Sequence, residues 1–385
     1  MNNRRRNLEW YLALFALLTI VVAFWIGKEQ EKELSVETIH HFYPDSIYQT
    51  QSINENLWKI RSSNQHFFLV KGEGKGYSGR IKLLIRYDSD SVLRKVHVVS
   101  SNETPSYFSK VMSRDFLKHF EQEDVLSVFK DQKEIDAISG ATKTCIGITQ
   151  GVKEASLKFA EYQNITPLPE RKEAELQIGS KEIIILFLFL LGILSRIKTF
   201  PYQKPLKWLS LFTGMIFLGF VYNEPISLTR INSFLIGFWP DWHSELHIYL
   251  LIFGVLLIFL TSGKNVYCHS ICPFCHVQEL TARIGNAKPI KMNSSYFWIW
   301  VQRLLAWAAV LLALFFRNPV VSEYEVFGPV FQFTGSVWLF VLLALVIIAS
   351  LLIKKPWCNF FCPINPIFGF LSVFRKKMRS LWKTG

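Results

Sequence analysis

Charge is scarce in this sequence where its apolar residues gather. Only 19% of the 385 residues are charged, against 50% hydrophobic and 15% aromatic. The stretches Leu12 to Phe24, Ile183 to Leu194, Ile248 to Leu260 and Val337 to Ile353 contain almost no charge. A soluble chain of this size would not stack its apolar residues in such runs, so the pattern excludes an ordinary globular protein. A helix needs about 20 mostly apolar residues to cross the ~30 Å hydrocarbon layer. With flanking aromatics, six spans are predicted near residues 8–27, 182–199, 207–222, 246–263, 296–316 and 335–353. The expected fold is a multi-pass α-helical membrane protein.

Other absences narrow the reading. No small-x-small cleavage site follows Gly27. Residues 1–27 are therefore expected to stay as an N-terminal anchor, although Arg4, Arg5 and Arg6 resemble the basic start of a signal peptide. The spans hold no carboxylate or lysine at mid-depth, which speaks against a transporter. Arg303 is the one intramembrane charge of note, and snorkelling to the interface accounts for it. His243 and His247 stand four apart at the mouth of the fourth span, but no histidine on another span completes a bis-His haem. They read as a solvated or interfacial pair, with quinone contact as the functional alternative.

The net charge of +13 suggests nucleic acid until its distribution is considered. Segments 1–7, 196–206, 264–295 and 354–385 carry 3, 3, 4 and 7 Lys/Arg, whereas the short loops 223–245 and 317–334 carry only Arg230 and Arg317. That asymmetry is the positive-inside pattern. It predicts a cytoplasmic-membrane protein with both termini cytoplasmic, a membrane-lipid environment and no nucleic-acid partner.

Between the first two spans, residues 28–165 are long enough for one domain, which the same orientation places outside the cytoplasm. It reads as α+β. Gly76-Tyr77-Ser78-Gly79 looks like a turn, Arg80 to Arg86 and Lys95 to Val99 like strands, and Ser109 to Lys118 and Thr144 to Tyr162 like helices. Residues 166–181, with Pro167 and Pro169 followed by charges, read as a linker, and 182–385 as a five-span membrane domain.

That membrane domain contains a repeat. A shift of 90 residues lays Leu251–Pro273 on Val341–Pro363 without a gap, with Lys264 over Lys354, Tyr267 over Trp357, and Cys-x-x-x-Cys-Pro over its copy. Two copies of one hairpin would face each other across a shared interface. The pairs Cys268/Cys272 and Cys358/Cys362 are then predicted to converge, the i, i+4 spacing on a continuing helix putting two sulfurs on one face. Soft thiolates in that number suit an iron–sulfur cluster, or zinc. A disulfide is disfavoured on the reducing cytoplasmic side. Cysteines also pack well at helix ends, but recurrence at a fixed repeat argues against chance. Cys275 adds a fifth candidate. Cys272-Pro-Phe-Cys275-His276 also matches the c-type haem pattern, but on the face where such haems are not normally attached. His269 and His276 are expected beside the site rather than in it.

In the intervening domain, Asp136-Ala-Ile-Ser139-Gly140-Ala141-Thr142 places a Gly-centred turn before an apolar-periodic helix. Helix N-termini favour phosphate, though such a turn can equally be a capped helix start. Cys145, just beyond, is expected to pack inside that helix. The segment resembles the Asp-x-x-Ser/Thr-Gly-Ala-Thr flavinylation motif of FMN-binding domains in ion-pumping quinone and ferredoxin oxidoreductases and in NosR/NirI-type membrane flavoproteins. The resemblance implies FMN held by a phosphoester to Thr142, attached by a flavin transferase, with Asp136, Ser139, Gly140 and Ala141 forming the turn. Gly76-Tyr77-Ser78-Gly79 resembles that family's Gly-Tyr-x-Gly turn, and Glu103-Thr104-Pro105 its Glu-Thr-Pro element. Tyr77, Glu103 and Thr104 are thereby implied in the flavin pocket.

The Cys-x-x-x-Cys-Pro pairs are likewise similar to the NosR/NirI type, so the likeness runs from about residue 70 to 370. Longer members continue into a ferredoxin-like domain, whereas this sequence ends at Gly385. Its outline is similar to the short six-span members associated with reductive dehalogenases. Where the family usually has Gly, this sequence has Cys275. The function implied is electron transfer from quinol, or a cytoplasmic donor, through an iron–sulfur site and covalent FMN to an extracytoplasmic reductase or carrier. The alternative is a membrane regulator or maturation factor whose cysteines bind a metal. One difficulty follows: a cysteine site at one face and a flavin at the other would be separated by something like the ~30 Å core, too far for one efficient hop.

Overall fold

The computed structural model describes residues 3–44, 48–62, 65–130, 138, 141–166, 176, 178–197, 201–289, 295–321 and 323–382. Helix α1 (Asn3–Phe42) begins the chain. Five strands follow, β1 (Gln49–Asn54), β2 (Leu57–Ser62), β3 (Gln65–Lys75), β4 (Arg80–Tyr87) and β5 (Leu93–Ser101). They pair antiparallel in the order β1-β2-β3-β4-β5, as successive hairpins allow. Next come α2 (Pro105–Ser113), a 3-10 turn (Phe116–Phe120), α3 (Ser127–Lys130) and α4 (Thr142–Tyr162).

Period-two alternation divides the sheet between two cores. Phe68, Val70, Ile81, Leu83 and Ile85 face α4, whose Cys145, Ile148, Val152, Ala155 and Phe159 recur at helical spacing. Cys145 is buried in its helix, as expected. Phe67, Leu69 and Leu84 point the other way and meet Ile39 and Tyr43. Helix α4 lies close on β3 because glycine meets glycine: a Cβ on Gly74 would stand 1.7 Å from the Gly147 carbonyl oxygen. Phe159 stacks on Tyr87 with ring centroids 4.5 Å apart, and truncating such a buried ring typically costs ~3–5 kcal/mol.

The expected strands are present and slightly longer than predicted. The helix expected over Ser109–Lys118 is not continuous. Asp115 adopts φ +50°, which no α-helix tolerates, and a separate 3-10 turn follows. Helix α4 starts at Thr142 rather than Thr144. Most of the expected linker lies outside the described residues.

The second half comprises α5 (Ser180–Leu194), α6 (Gln203–Gly214) continued by a π-helical stretch (Met215–Val221), α7 (Leu228–Ile236), α8 (Leu246–Ser262) and a π turn (Tyr267–Ile271). It is completed by α9 (Pro273–Ile284), α10 (Ser295–Phe315), α11 (Phe327–Phe331), α12 (Val337–Leu352), α13 (Pro356–Phe360) and α14 (Ile364–Trp382). Among the described residues, Asn7–Gln30, Gln203–Val221 and Phe297–Phe315 are long and apolar enough to cross a membrane, while Leu246–Ser262 and Val337–Leu352 are apolar but shorter. The chain is a membrane protein with a sheet domain.

Candidate functional site

The 76–79 turn is closed by the Gly76 N–H donating to the Gly79 carbonyl at 2.9 Å. Buried Glu103 holds it from behind. Its Oε1 accepts from the Ser78 and Gly79 N–H groups at 2.8 and 3.3 Å, and its Oε2 accepts from the Thr144 hydroxyl at 2.6 Å. One carboxylate thus joins the turn to the first turn of α4, where exposed Thr142 is the first helical residue and Ala141 its cap. Thr104 Oγ1 lies 3.2 Å from Ser78 Oγ. Four expected site positions, Tyr77, Glu103, Thr104 and Thr142, therefore belong to one connected unit. Asp136, Ser139 and Gly140 lie outside the described residues.

Tyr77 reaches out of this unit into the membrane half. Its hydroxyl donates to the Asn223 carbonyl at 3.0 Å, and burial pushes its pKa up to about 12. The Ser233 hydroxyl donates to the Ser78 carbonyl at 2.7 Å. Beside it, Lys143 pairs with Glu224 at 2.8 Å and Glu245 at 2.7 Å. Buried Glu224 also contacts His247, whose other ring nitrogen lies 3.4 Å from Glu182. Burial raises the Glu224 pKa, but His247, Lys143 and Arg230 outweigh it and hold the carboxyl well below its usual range. The solvated or interfacial pair expected at His243 and His247 is thus corrected at its second member. His247 is 3% exposed between two carboxylates, while half-buried His243 sits 3.1 Å from Asp241. Lys143, Glu182 and Glu224 were not singled out from sequence; the visible signal was the acid before Pro225 in an otherwise apolar stretch.

A cavity of about 590 Å³ opens where the two halves meet, lined by Tyr77, Ser78 and Thr104 on one side and by Arg230, Glu323 and Glu325 on the other. The size is within the range of cofactor pockets. Thr229 Oγ1, Arg230 Nη2 and Glu325 Oε1 are buried there without a hydrogen-bond partner. A cavity touching the flavin-type turn, with apolar walls and unsatisfied polar atoms, fits a flavin ring.

The cysteines also come together. Cys272 N–H donates to the Tyr267 carbonyl at 2.8 Å, and Cys362 N–H to the Trp357 carbonyl at 2.9 Å, so both copies of the repeat close the same i, i+5 turn. This corrects the expected continuing α-helix. Pro273 and Pro363 lack an N–H, and their rings disfavour α geometry at the preceding cysteine, so each turn ends there. Cys268 lies near Cys272 and Cys362, Cys272 near Cys275 and Cys362, and the Cys275 and Cys358 thiols are within hydrogen-bonding reach. Gln278 spans the repeats, donating to Cys358 Sγ at 3.2 Å and accepting from Trp357 N–H at 3.0 Å. Among the described residues no three His, Cys, Asp or Glu side chains are arranged to hold a single metal ion. A cluster makes no such demand, because its cysteines bind separate irons, and the convergent thiol set fits one. His276 is buried against Trp208 and Phe212 rather than among the thiols.

The loops at the sheet-domain end do not stay there. Ile226 N–H donates to the Tyr267 hydroxyl at 2.8 Å, one residue before Cys268. The Tyr324 ring lies 6.2 Å from that of Trp357, one residue before Cys358. Leu228 N–H donates to Glu325 Oε2 at 2.8 Å, tying the two inward segments together. Ile226, Val326, Phe327 and Phe331 share one core with Tyr267, Phe274, Trp357 and Cys362.

Comparison with known proteins bears on the cofactors. The FMN-binding domain family model matches residues 76–156, and the 4Fe-4S binding domain model matches twice, over 246–291 and 334–380. The chain is 26% identical over 202 residues to Protein NirI of Paracoccus denitrificans, covering 48% of this chain and 30% of that protein. It is 39% identical over 93 residues to a component of the proton-translocating ferredoxin:NAD(+) oxidoreductase complex of Clostridium ljungdahlii, covering 23% of this chain and 50% of that protein. It is 28% identical over 188 residues to a component of an ion-translocating oxidoreductase complex of Shewanella piezotolerans, covering 40% of this chain and 88% of that protein. The chain thus spans half or less of the length of the first two relatives. The matches fit the NosR/NirI-type family and support FMN and an iron–sulfur cluster as its cofactors.

Proposed function

We propose that this chain is a membrane electron-transfer flavoprotein. It takes electrons from quinol or a cytoplasmic donor, passes them through an iron–sulfur cluster held by Cys268, Cys272, Cys358 and Cys362, and delivers them through FMN esterified to Thr142. The recipient is a reductase or carrier outside the cytoplasm. In this reading the chain crosses the cytoplasmic membrane six times, with both termini inside and the sheet domain outside. The relatives named for oxidoreductase complexes support donor and acceptor partners of this kind.

When bound, a flavin exchanges one or two electrons and an iron–sulfur cluster one, which supplies a two-to-one junction. The protein's residues position both. Glu103 keeps the 76–79 turn, which lines the cavity, against the first turn of α4, the helix that begins at Thr142. Arg230, with one guanidinium nitrogen unsatisfied, offers a cation to the cavity. Gln278 and the paired i, i+5 turns hold the thiols of both repeats in register.

The observation that carries the reading is the inward course of the loops around Ile226 and Tyr324. They bring the wall of the cavity into contact with the residues that precede each cysteine pair. These contacts support a route between the cavity and the cysteine site through the protein interior. The relatives' electron-transport names do not favour the alternative of a metal-handling regulator.

The test is in-gel flavin fluorescence after denaturation, with iron quantified in parallel, on protein co-expressed with a flavin transferase. A fluorescent wild-type band that disappears in Thr142→Ala is expected. A wild type without fluorescence, beside a control substrate that is flavinylated, would overturn the reading.

A further inference from the structure

Four titratable side chains line the cavity of about 590 Å³ among the described residues: Tyr77, Arg230, Glu323 and Glu325. Three of them are committed. The Tyr77 hydroxyl already donates to the Asn223 carbonyl at 3.0 Å. A guanidinium keeps its protons in a protein, so Arg230 can offer a hydrogen bond but not a proton. Glu325 is 2% exposed, and its Oε2 accepts from the Leu228 N–H at 2.8 Å. Ionising it would leave a charge with almost no water around it, which burial opposes.

Glu323 is placed differently. It is half-buried, and its backbone N–H donates to the Val320 carbonyl at 2.9 Å, closing a turn that fixes where the side chain starts. Its carboxyl hydrogen-bonds Thr104 of the FMN-binding domain. Thr104 Oγ1 in turn lies 3.2 Å from Ser78 Oγ in the 76–79 turn. The carboxyl therefore stands in the cavity wall where the two halves meet. Tyr77 and Glu325 are the titratable groups that feel its charge. Burial raises its pKa to about 7, while the Thr104 hydroxyl pulls it down. A carboxyl near its pKa at working pH gives and takes protons with the least penalty. Electrons added to a ring in an enclosed cavity build up negative charge there, which is costly unless a proton follows.

We propose that Glu323 is the proton donor and acceptor for the flavin in this cavity. As two electrons arrive from the cluster, the Glu323 O–H bond breaks and an N–H bond forms on the ring. The carboxyl is left as carboxylate. As the electrons leave to the external carrier, the proton returns to Glu323. The proposal rests on the flavin reading above.

The test is redox-difference infrared spectroscopy on the flavinylated full chain, with in-gel fluorescence run on every sample. Reduction of wild type below pH 7 is expected to remove a carboxylic C=O band that shifts in deuterium oxide. Well above pH 7 the carboxyl is already ionised, and that loss should vanish. The band is expected to be missing in Glu323→Gln and kept in Glu325→Gln. If Glu323→Gln misfolds, Thr104→Val decides. It removes the hydrogen bond that lowers the Glu323 pKa, so the band should persist to higher pH, and an unmoved pH midpoint overturns the proposal. A fluorescent wild type without the band, or a band unchanged in Glu323→Gln or lost instead in Glu325→Gln, overturns this proposal and leaves the flavin reading standing. A wild type without fluorescence overturns both.

Discussion

The backbone N–H of Ile226 donates to the hydroxyl of Tyr267 at 2.8 Å, and both groups are buried. Ile226 sits three residues beyond Asn223, the carbonyl that receives the Tyr77 hydroxyl. Two hydrogen bonds and a short stretch of backbone therefore connect the turn of the FMN-binding domain to the residue before Cys268. Tyr267→Phe would keep the ring and leave a buried donor unsatisfied, costing ~1–3 kcal/mol. A lower melting temperature and slower flavin reduction at unchanged iron content are expected. A variant identical to wild type in both measurements would show that this contact carries neither stability nor coupling.

Glu103→Gln tests the strut behind the flavin turn. An amide oxygen can still accept from Ser78, but the charge is lost and the NH₂ group cannot accept from the Thr144 hydroxyl. Charge-assisted hydrogen bonds contribute about 1.5–3 kcal/mol each. The expected result is reduced flavin incorporation in gel, with Thr142 intact. Full incorporation would show that the turn is held adequately without the carboxylate.

Lys143→Met removes the cation that Glu224 and Glu245 share. Glu224 keeps His247 and Lys181, and the Lys143 side chain is 31% exposed, so a moderate loss of about 1 kcal/mol is expected. Its signature is faster hydrogen exchange in the 76–79 turn and at Asn223. No change in exchange would place the docking energy elsewhere.

Glu323 lines the larger cavity and hydrogen-bonds Thr104, and burial raises its pKa from 4.5 to about 7. Burial also pushes Glu325 well above its usual value, and Glu323 adds to that shift. Between the unfolded and folded values the native state binds more protons than the unfolded chain. The contribution to stability is therefore complete below about pH 4.5 and is lost as the pH rises toward 7. Melting temperatures should fall across that window in wild type and fall less in Glu323→Gln. Parallel pH profiles would remove Glu323 as a source of the dependence.

Serine substitution at Cys268, Cys272, Cys358 or Cys362 is expected to lower iron content sharply. Cys275→Ser is expected to retain iron, because Cys275 sits on α9 beside Lys355 and Glu279 and meets the other repeat's thiols through Cys358. Iron lost equally in all five variants would make Cys275 a ligand.

Patterns that repeat along the chain were legible without coordinates. The 90-residue copy of Tyr/Trp-Cys-x-x-x-Cys-Pro located the cysteine site, and strand alternation from Arg80 located the sheet. The Gly-Ala-Thr turn located the start of α4 to within two residues. Contacts between distant segments were not legible. Loops 223–245 and 317–334 read as short connections between spans, and the burial of Glu224 and Glu325 in them depends on what packs around them.

The sequence by itself determined that apolar helices enter a membrane, that a Gly-centred segment leads into α4, and that two cysteine pairs belong to one repeat. Each follows from local composition or spacing, which the chain carries wherever it folds. Only the tertiary structure decided that Ile226 and Tyr324 reach the residues before those cysteines, and that Glu103 ties Ser78 to Thr144. It also decided that His247 is enclosed by Glu182 and Glu224. Such contacts depend on where distant segments pack, and burial of a hydrogen-bonded or paired polar group is a property of the surroundings that the packing supplies.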